Sequence, residues 1–117
     1  MDSFRKIIVP VDDVAAAVAH YTGELGLRVR FQDGDRWAEL ELNGPSLALA
    51  GPGEQPAGTE IALGLKVTDL DAALARLSKQ GGTVLTEAHD GAHERRGCVR
   101  DRFGTVLALY APLRGPA

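Results

Sequence analysis

The sequence is poor in sulfur-containing and aromatic residues: it has one cysteine (Cys98), one methionine, one tryptophan (Trp37), two tyrosines and three phenylalanines. A single cysteine cannot form an intrachain disulfide, which excludes a disulfide-stapled scaffold and predicts a reducing, cytoplasmic compartment. No apolar run approaches the roughly 20 residues of a membrane-spanning helix, and the charged start of the sequence lacks a signal-peptide core. We therefore expect no membrane partner.

Positive charge is also scarce, since the sequence has 13 lysines and arginines but 16 aspartates and glutamates, which gives a net charge of −3. A protein that binds nucleic acid through a broad basic surface has the opposite balance, so we expect no nucleic-acid partner. What is present is an ordinary globular composition. The chain has 117 residues, 44% hydrophobic and 25% charged, which predicts one compact domain.

An internal repeat is the most informative feature of the sequence. Residues 11–18 (VDDVAAAV) resemble residues 67–74 (VTDLDAAL) at an offset of 56 positions. Two similar modules, residues 4–50 and 60–112, are therefore predicted, joined by a glycine- and proline-rich linker over residues 51–59. Half of this chain is too small to bury a good core alone, so the modules must cover each other or those of a second chain.

Each module predicts the same element order: a strand, a helix and three further strands (βαβββ). Asp13 and Asp69 precede apolar residues at helical spacing and are predicted helix N-caps. The predicted fold class is α+β, with two βαβββ modules whose mixed, curved sheets form a concave cavity and carry the helices on the outer face. A longer loop over residues 90–95 is predicted between the first two strands that follow the second helix.

Three predicted strands alternate large and small apolar residues. Because side chains alternate between the two faces of a strand, the large residues can pack on the helices while the small ones share the opposite face. This second face either packs closely against another sheet or chain, or leaves space for a ligand. The pattern favours neither interpretation. The small residues are Ala48, Ala62, Gly64 and Ala108.

Trp37 and Glu39 are predicted to share the face of the small residues, because they alternate with the apolar Ala38 and Leu40. Glu41 continues this alternation. A tryptophan beside small residues suits stacking on a flat ligand, although an ordinary core or interface tryptophan gives the same pattern. The two glutamates would favour a cationic or hydrogen-bonding ligand.

Other candidate ligand contacts lie at strand ends and in the predicted loop. Lys66 and Tyr110 continue the face of the small residues, where they either contact the ligand or remain solvated. His93 can touch a ligand if the loop over residues 90–95 covers the mouth of the cavity. The same region has residue types that bind metals, without the spacing of a fixed site: Glu87, His89, Asp90, His93 and Glu94.

Several short segments together resemble one family. They are residues 7–13 (IIVPVDD), residues 65–70 (LKVTDL), Gly81-Gly82 and residues 100–107 (RDRFGTVL). Paired βαβββ modules with these segments resemble the vicinal oxygen chelate superfamily, which includes glyoxalase I, extradiol dioxygenases, fosfomycin resistance enzymes and bleomycin resistance proteins. Arg102-Phe103 departs from the family, which usually has Pro-Asp at this point of an Asp-Pro-Asp-Gly turn.

The resemblance also implies where a metal ion would bind. Metal-dependent members use His or Glu on the first strand of each half and a carboxylate on the last strand. A methyl group has no electron pair to donate, and a protonated lysine has none free. The resemblance therefore implies a metal-free member of the bleomycin-resistance type, with no cofactor and no assigned catalytic residue. The four ligand positions fall on Lys6, Ala48, Ala62 and Ala108.

The expected function is that of a metal-independent protein that sequesters a hydrophobic or aromatic small molecule, as an antibiotic-resistance protein does, in a homodimer. One alternative is a glyoxalase-like lyase, isomerase or dioxygenase, including a metal-free enzyme in which Glu39 or Lys6 moves a proton. Another is a scaffold without a ligand. The sequence leaves open the identity of the ligand and whether the two halves are swapped between chains.

Overall fold

The structure is a computed structural model that describes residues 2–113. It consists of a first unit, residues 5–61, and a second unit, residues 62–113 together with residues 2–4. The predicted α+β fold with two βαβββ modules is confirmed. The elements are β1 (Ser3–Pro10), α1 (Val14–Leu25), β2 (Val29–Asp33), β3 (Trp37–Glu41), β4 (Ser46–Ala50), β5 (Ala62–Lys66), α2 (Leu70–Lys79), β6 (Thr83–Asp90), β7 (Glu94–Arg100) and β8 (Val106–Pro112).

The first unit packs one face of a mixed sheet against α1. Its strand order is β2-β3-β4-β1, with β1 parallel to β4 and the other neighbours antiparallel. Leu40 and Leu49 are fully buried and form a core cluster with Val14 of the helix. Because side chains alternate along a strand, the neighbours of these leucines in β3 and β4 lie on the opposite face of the sheet.

The second unit repeats this arrangement. Its strand order is β5-β8-β7-β6, with β5 parallel to β8 and the other neighbours antiparallel. Leu70 and Leu74 of α2 pack against Val99 of β7 and Leu109 of β8, and all four are buried. The internal repeat of the sequence therefore corresponds to a repeated strand order and a repeated helix position within each unit.

Both helices begin at the predicted N-caps. The Asp13 carboxylate accepts a hydrogen bond from the Ala16 N–H at 3.0 Å, and the Asp69 carboxylate accepts one from the Ala72 N–H at 3.1 Å. Each aspartate satisfies a backbone donor that the first turn of a helix leaves free. In residues 2–113, neither helix is long and apolar enough to cross a membrane.

Removal of a cap tests this assignment. We expect Asp13→Ala to lower the free energy of unfolding by about 1 kcal/mol, because the Ala16 N–H loses its acceptor. Chemical denaturation followed by circular dichroism measures the change. Asp12→Ala is the matched control, since it removes the same charge from the neighbouring exposed position. Equal losses of unfolding free energy in the two variants would show that the loss comes from the removed charge and not from the removed cap.

The prediction of a loop over residues 90–95 is wrong. β6 continues to Asp90 and β7 begins at Glu94, so only residues 91–93 connect the two strands. The strand pairing extends to this connection, and the ladder is interrupted by register shifts farther back in β6. The mostly polar residues of this region do not alternate between apolar and polar types, and for that reason the sequence pattern did not indicate strands.

Arg95 holds the end of this hairpin against α2. Its guanidinium donates to the Asp90 carboxylate at 3.0 Å and to both oxygens of Asp71 at 3.0 and 3.1 Å. These hydrogen bonds raise the pKa of Arg95 further above its usual range. A bidentate pair of this kind fixes orientation as well as charge, so Arg95 contributes to the packing of the hairpin against α2.

Candidate functional site

The candidate site lies on the face of the first unit's sheet opposite α1, here called the Trp37 face. Ladder pairs place Ile8 beside Ala48, Ala48 beside Glu39 and Glu39 beside Phe31, in a row across the four strands. Directly opposed residues share a face, and Trp37 stands two residues before Glu39 in the same strand. The Trp37 face is defined by these five residues. The structure thus brings together Trp37, Glu39 and Ala48.

Glu39 connects the polar groups of the Trp37 face. Its Oε2 atom accepts a hydrogen bond from Lys6 Nζ at 3.2 Å and another from the Trp37 Nε1–H at 2.9 Å. The Ser46 hydroxyl donates to the same carboxylate. Lys6 Nζ also lies 5.6 Å from the centroid of the Trp37 ring, which is within reach of a cation–π contact. One carboxylate therefore fixes both the ammonium group and the edge of the indole.

These contacts determine the protonation state of Glu39. Burial by itself raises the pKa of this carboxyl, because the charged form loses hydration. The hydrogen bond from Trp37, the charge of Lys6 and the hydrogen bond from Ser46 act in the opposite direction and outweigh burial. The pKa of Glu39 is therefore lower than its ordinary value, and the side chain is an anion at neutral pH.

Both glutamates on this side of β3 have a cationic partner within the first unit. The Glu39 side chain is 12% exposed and pairs with Lys6. Glu41 pairs with Arg28 at 3.2 Å, and both of these side chains are exposed. The charge of each carboxylate is thus balanced by the chain itself. A cationic ligand would have to compete with Lys6 or Arg28 for it.

Phe31 and Ile8 are the residues of this face that were not predicted as ligand contacts, and Phe31 is the exposed one of the two. It is 49% exposed and lies directly opposite Glu39, so that it is diagonal to Trp37 across β2 and β3. Diagonal neighbours on adjacent strands are about 7–8 Å apart, a distance that aromatic side chains can bridge. The sequence does contain a signal for this residue, because Val29 and Phe31 alternate with the polar Arg30 and Gln32 as in a strand, although all five residues of β2 are exposed.

The remaining predicted contact residues on strands lie in the second unit. The ladder between β5 and β8 places Gly64 beside Ala108 and Lys66 beside Tyr110. Gly64 is buried, whereas the other three are half-buried. These residues share the sheet face opposite α2, since the leucines between them belong to the core on the helix side.

Two of the small residues are fully buried. Ala48 in the first unit and Ala62 in the second are each 0% exposed. Their methyl groups are packed within the protein, whereas Trp37 is half-buried and Phe31 is exposed. The accessible part of the Trp37 face is therefore aromatic, and Ala48 lies beneath the surface.

His93 lies in the three-residue connection between β6 and β7 and is exposed. The loop that was expected to carry it over a cavity does not form, because residues on both sides of the connection are paired in strands. His89 has its Nδ1 atom 3.1 Å from the Glu87 carbonyl oxygen. Among residues 2–113, no three histidine, cysteine, aspartate or glutamate side chains come close enough to hold a metal ion.

The residues at the four positions implied by the resemblance do not fit a metal ion. In the first unit, the Lys6 ammonium donates to Glu39 and the Ala48 methyl group is buried. In the second unit, the positions hold Ala62 and Ala108, which have no donor atom on their side chains. The cation that balances the carboxylate of the Trp37 face is a lysine of the chain itself.

Comparisons with known proteins agree with this fold. Residues 3–109 match the family model described as Glyoxalase/Bleomycin resistance protein/Dioxygenase superfamily. An uncharacterized protein of Mycolicibacterium smegmatis is 32% identical over 110 residues, which cover 94% of this chain and 94% of that protein.

Two solved structures have a similar backbone. A hypothetical protein from Bacillus halodurans has a TM-score of 0.74 at 16% identity and covers 99% of this chain and 98% of that one. A methylmalonyl-CoA epimerase from Mycobacterium tuberculosis has a TM-score of 0.68 at 24% identity, and the match covers 95% of this chain and 88% of that one. At such low identities the similarity shows the fold and not the activity.

Proposed function

The chain belongs to the Glyoxalase/Bleomycin resistance protein/Dioxygenase superfamily, and from this premise we propose that it binds and sequesters a neutral, flat aromatic compound without a metal ion. The observation that supports the proposal is the Trp37 indole, which Glu39 and Lys6 hold in place diagonal to the exposed Phe31.

A fixed tryptophan is a good stacking surface. The hydrogen bond to Glu39 anchors the Nε1 edge of the ring, and Lys6 lies over the ring at 5.6 Å from its centroid. A side chain held in one orientation loses little conformational entropy when a ligand stacks on it. The accessible part of the ring and the diagonal Phe31 then form an apolar surface on which an aromatic ligand can lie.

The charges of the site favour a neutral ligand over a cationic one. The Glu39 carboxylate already accepts from Lys6, Trp37 and Ser46. A cationic ligand that approached the Glu39 carboxylate would also lie close to the Lys6 ammonium, and the two positive charges would repel each other. A neutral ring system meets no such repulsion.

The same charges argue against proton transfer by Glu39. A general base works best when its pKa lies near the pH at which it operates. The pKa of Glu39 is shifted downward from its ordinary value, away from neutrality, so that the carboxylate is a weaker base than a free glutamate. This argues against the alternative of a metal-free enzyme in which Glu39 moves a proton.

Fluorescence of the single tryptophan tests the proposal. We expect acridine, kept neutral at mildly alkaline pH, to quench Trp37 emission in a saturable way, and cationic acridine orange to bind more weakly. Titration calorimetry then measures the affinity of the variants for acridine. Phe31→Ala is expected to weaken acridine binding about fivefold and Trp37→Ala about tenfold, since each removes one stacking partner.

Phe103→Ala is the control for both variants. Phe103 is 77% exposed and lies in the turn between β7 and β8 of the second unit, where Arg102 contacts its ring. Its removal deletes an exposed aromatic side chain that is not part of the Trp37 face, so acridine affinity is expected to remain unchanged. Equal loss in all three variants, or chemical conversion of the bound compound, would contradict the proposal.

A further inference from the structure

The second unit has a groove beside α2 that the Trp37 face does not use. The helix packs mainly over β6 and β7 and covers little of β8 and β5. The uncovered part of the sheet and the flank of the helix border an open groove with a volume of about 530 Å³. This volume lies within the range of about 300–1,000 Å³ that is typical of small-molecule sites.

Apolar side chains form the walls of this groove. Leu65 of β5 and Leu107 of β8 line it from the sheet, and Leu77 lines it from the helix. These three leucines are only partly buried, although they pack at the border of the core. A hydrocarbon chain lying against them would remove this apolar surface from water, which is favourable in proportion to the area covered.

Cationic side chains stand at the helix side of the same groove. Arg76 and Lys79 line it and are exposed. Within residues 2–113, neither has an ion-pair partner. They lie in the last turn of α2, where positive charge also favours the helix dipole. The dipole explains a basic last turn, but it does not explain an apolar cavity beside it.

The acidic group at the groove is already engaged. The Asp2 carboxylate accepts a hydrogen bond from the Thr68 N–H at 3.1 Å, at the residue that precedes the cap of α2. The neutral Gln80 completes the polar lining. The net charge of the lining side chains is therefore positive.

We propose that this groove binds a monomeric anionic amphiphile, with its hydrocarbon chain against Leu65, Leu77 and Leu107 and its carboxylate near Arg76 and Lys79. An apolar groove bordered by two exposed cations matches the two parts of such a molecule. The site is independent of the aromatic ligand proposed above, because all the residues that line it belong to the second unit.

Titration calorimetry with decanoate, below its micelle concentration, tests the proposal. Decanoate is expected to bind at one site per chain, and decan-1-ol, which has the same chain length without the charge, about tenfold more weakly. High salt is expected to weaken decanoate binding more than decanol binding, because it screens the exposed cations.

Two variants separate the charged part of the groove from the apolar part. The double variant Arg76→Gln/Lys79→Gln is expected to weaken decanoate binding about tenfold and to leave decanol binding unchanged. Leu65→Gln is expected to weaken both. Arg5→Gln is the control, since it removes an exposed arginine outside the groove and is expected to change neither affinity. Circular dichroism verifies that each variant is folded.

Several results would overturn the proposal. Decanoate affinity that is unchanged in the double variant would show that the cations do not bind the carboxylate. Binding to phosphatidylglycerol vesicles without binding to free decanoate would assign the groove to a lipid surface. Acridine binding in the double variant is expected to match the parent chain, so failure of this groove is distinguishable from failure of the Trp37 face.

Discussion

Replacing Lys6 with methionine is expected to lower the free energy of unfolding by about 2 kcal/mol at neutral pH. The Glu39 side chain is only 12% exposed, and its Oε2 atom lies 3.2 Å from Lys6 Nζ. The variant leaves a largely buried carboxylate without its cation. The hydrogen bonds from Trp37 and Ser46 remain, which keeps the loss below that of an isolated buried charge.

The loss is expected to depend on pH in a defined direction. The folded pKa of Glu39 is lowered, so its contribution to stability is present above the ordinary carboxyl value of 4.5 and disappears as the pH falls below it. A protonated Glu39 no longer needs a cation. The stability difference between the parent chain and Lys6→Met is therefore expected to shrink below pH 4.5. A difference that stays constant on acidification would contradict the assignment.

A double-mutant cycle isolates the Lys6–Glu39 pair. Lys6→Met and Glu39→Gln each leave one partner without its counter-charge, whereas the double variant leaves two neutral side chains in contact. We expect the double variant to be more stable than the sum of the single losses predicts, by about 1 kcal/mol. Losses that simply add would show that the two side chains are not coupled.

The second large effect is expected at Gly51, the buried residue that follows β4. A Cβ atom at this position would come close to the backbone oxygen of Asp35 and within 3.3 Å of that of Arg36. Backbone atoms cannot rotate away as a side chain can, so the turn before β3 must shift. Gly51→Ala is therefore expected to lower the free energy of unfolding by about 3 kcal/mol, measured by chemical denaturation.

Gly23→Ala is the matched control for this substitution. Gly23 lies in α1, and a Cβ atom there would meet nothing within 4 Å. Because alanine favours the helix over glycine, this variant is expected to gain about 0.5–1 kcal/mol. The displaced turn also leads into Trp37, so Gly51→Ala is expected to shift tryptophan emission while Gly23→Ala leaves it unchanged. Equal stability changes in the two variants would contradict the packing argument.

Features that depend on neighbouring residues were predictable. The two N-caps follow from an aspartate placed before apolar residues at helical spacing. Alternation in β3 and β4 also placed Trp37 and Glu39 on one face. Such features are local, because backbone geometry alone sets the spacing of side chains along a helix or strand.

The hairpin between β6 and β7 shows where local patterns fail. The residues at its tip are mostly polar, and Arg95 is hydrogen-bonded to Asp71, 24 positions away in α2. No short window of sequence contains both groups. Homodimer formation, sequestration of a ligand and the roles of Lys66, Tyr110 and His93 remain predictions, since each depends on a partner molecule.

The sequence by itself determined the repeated βαβββ order, the helix caps, the family and the absence of metal-donor atoms at the four expected positions, because these depend on residue type and spacing. Only the tertiary structure decided that Lys6 neutralises Glu39, which is 33 positions away in the sequence, and that Phe31 lies opposite Glu39 on the neighbouring strand. The groove along α2 is likewise a feature of the tertiary structure. The physical reason is that strand register and helix placement are set by the packing of the whole core, and they fix contacts that no short stretch of sequence contains.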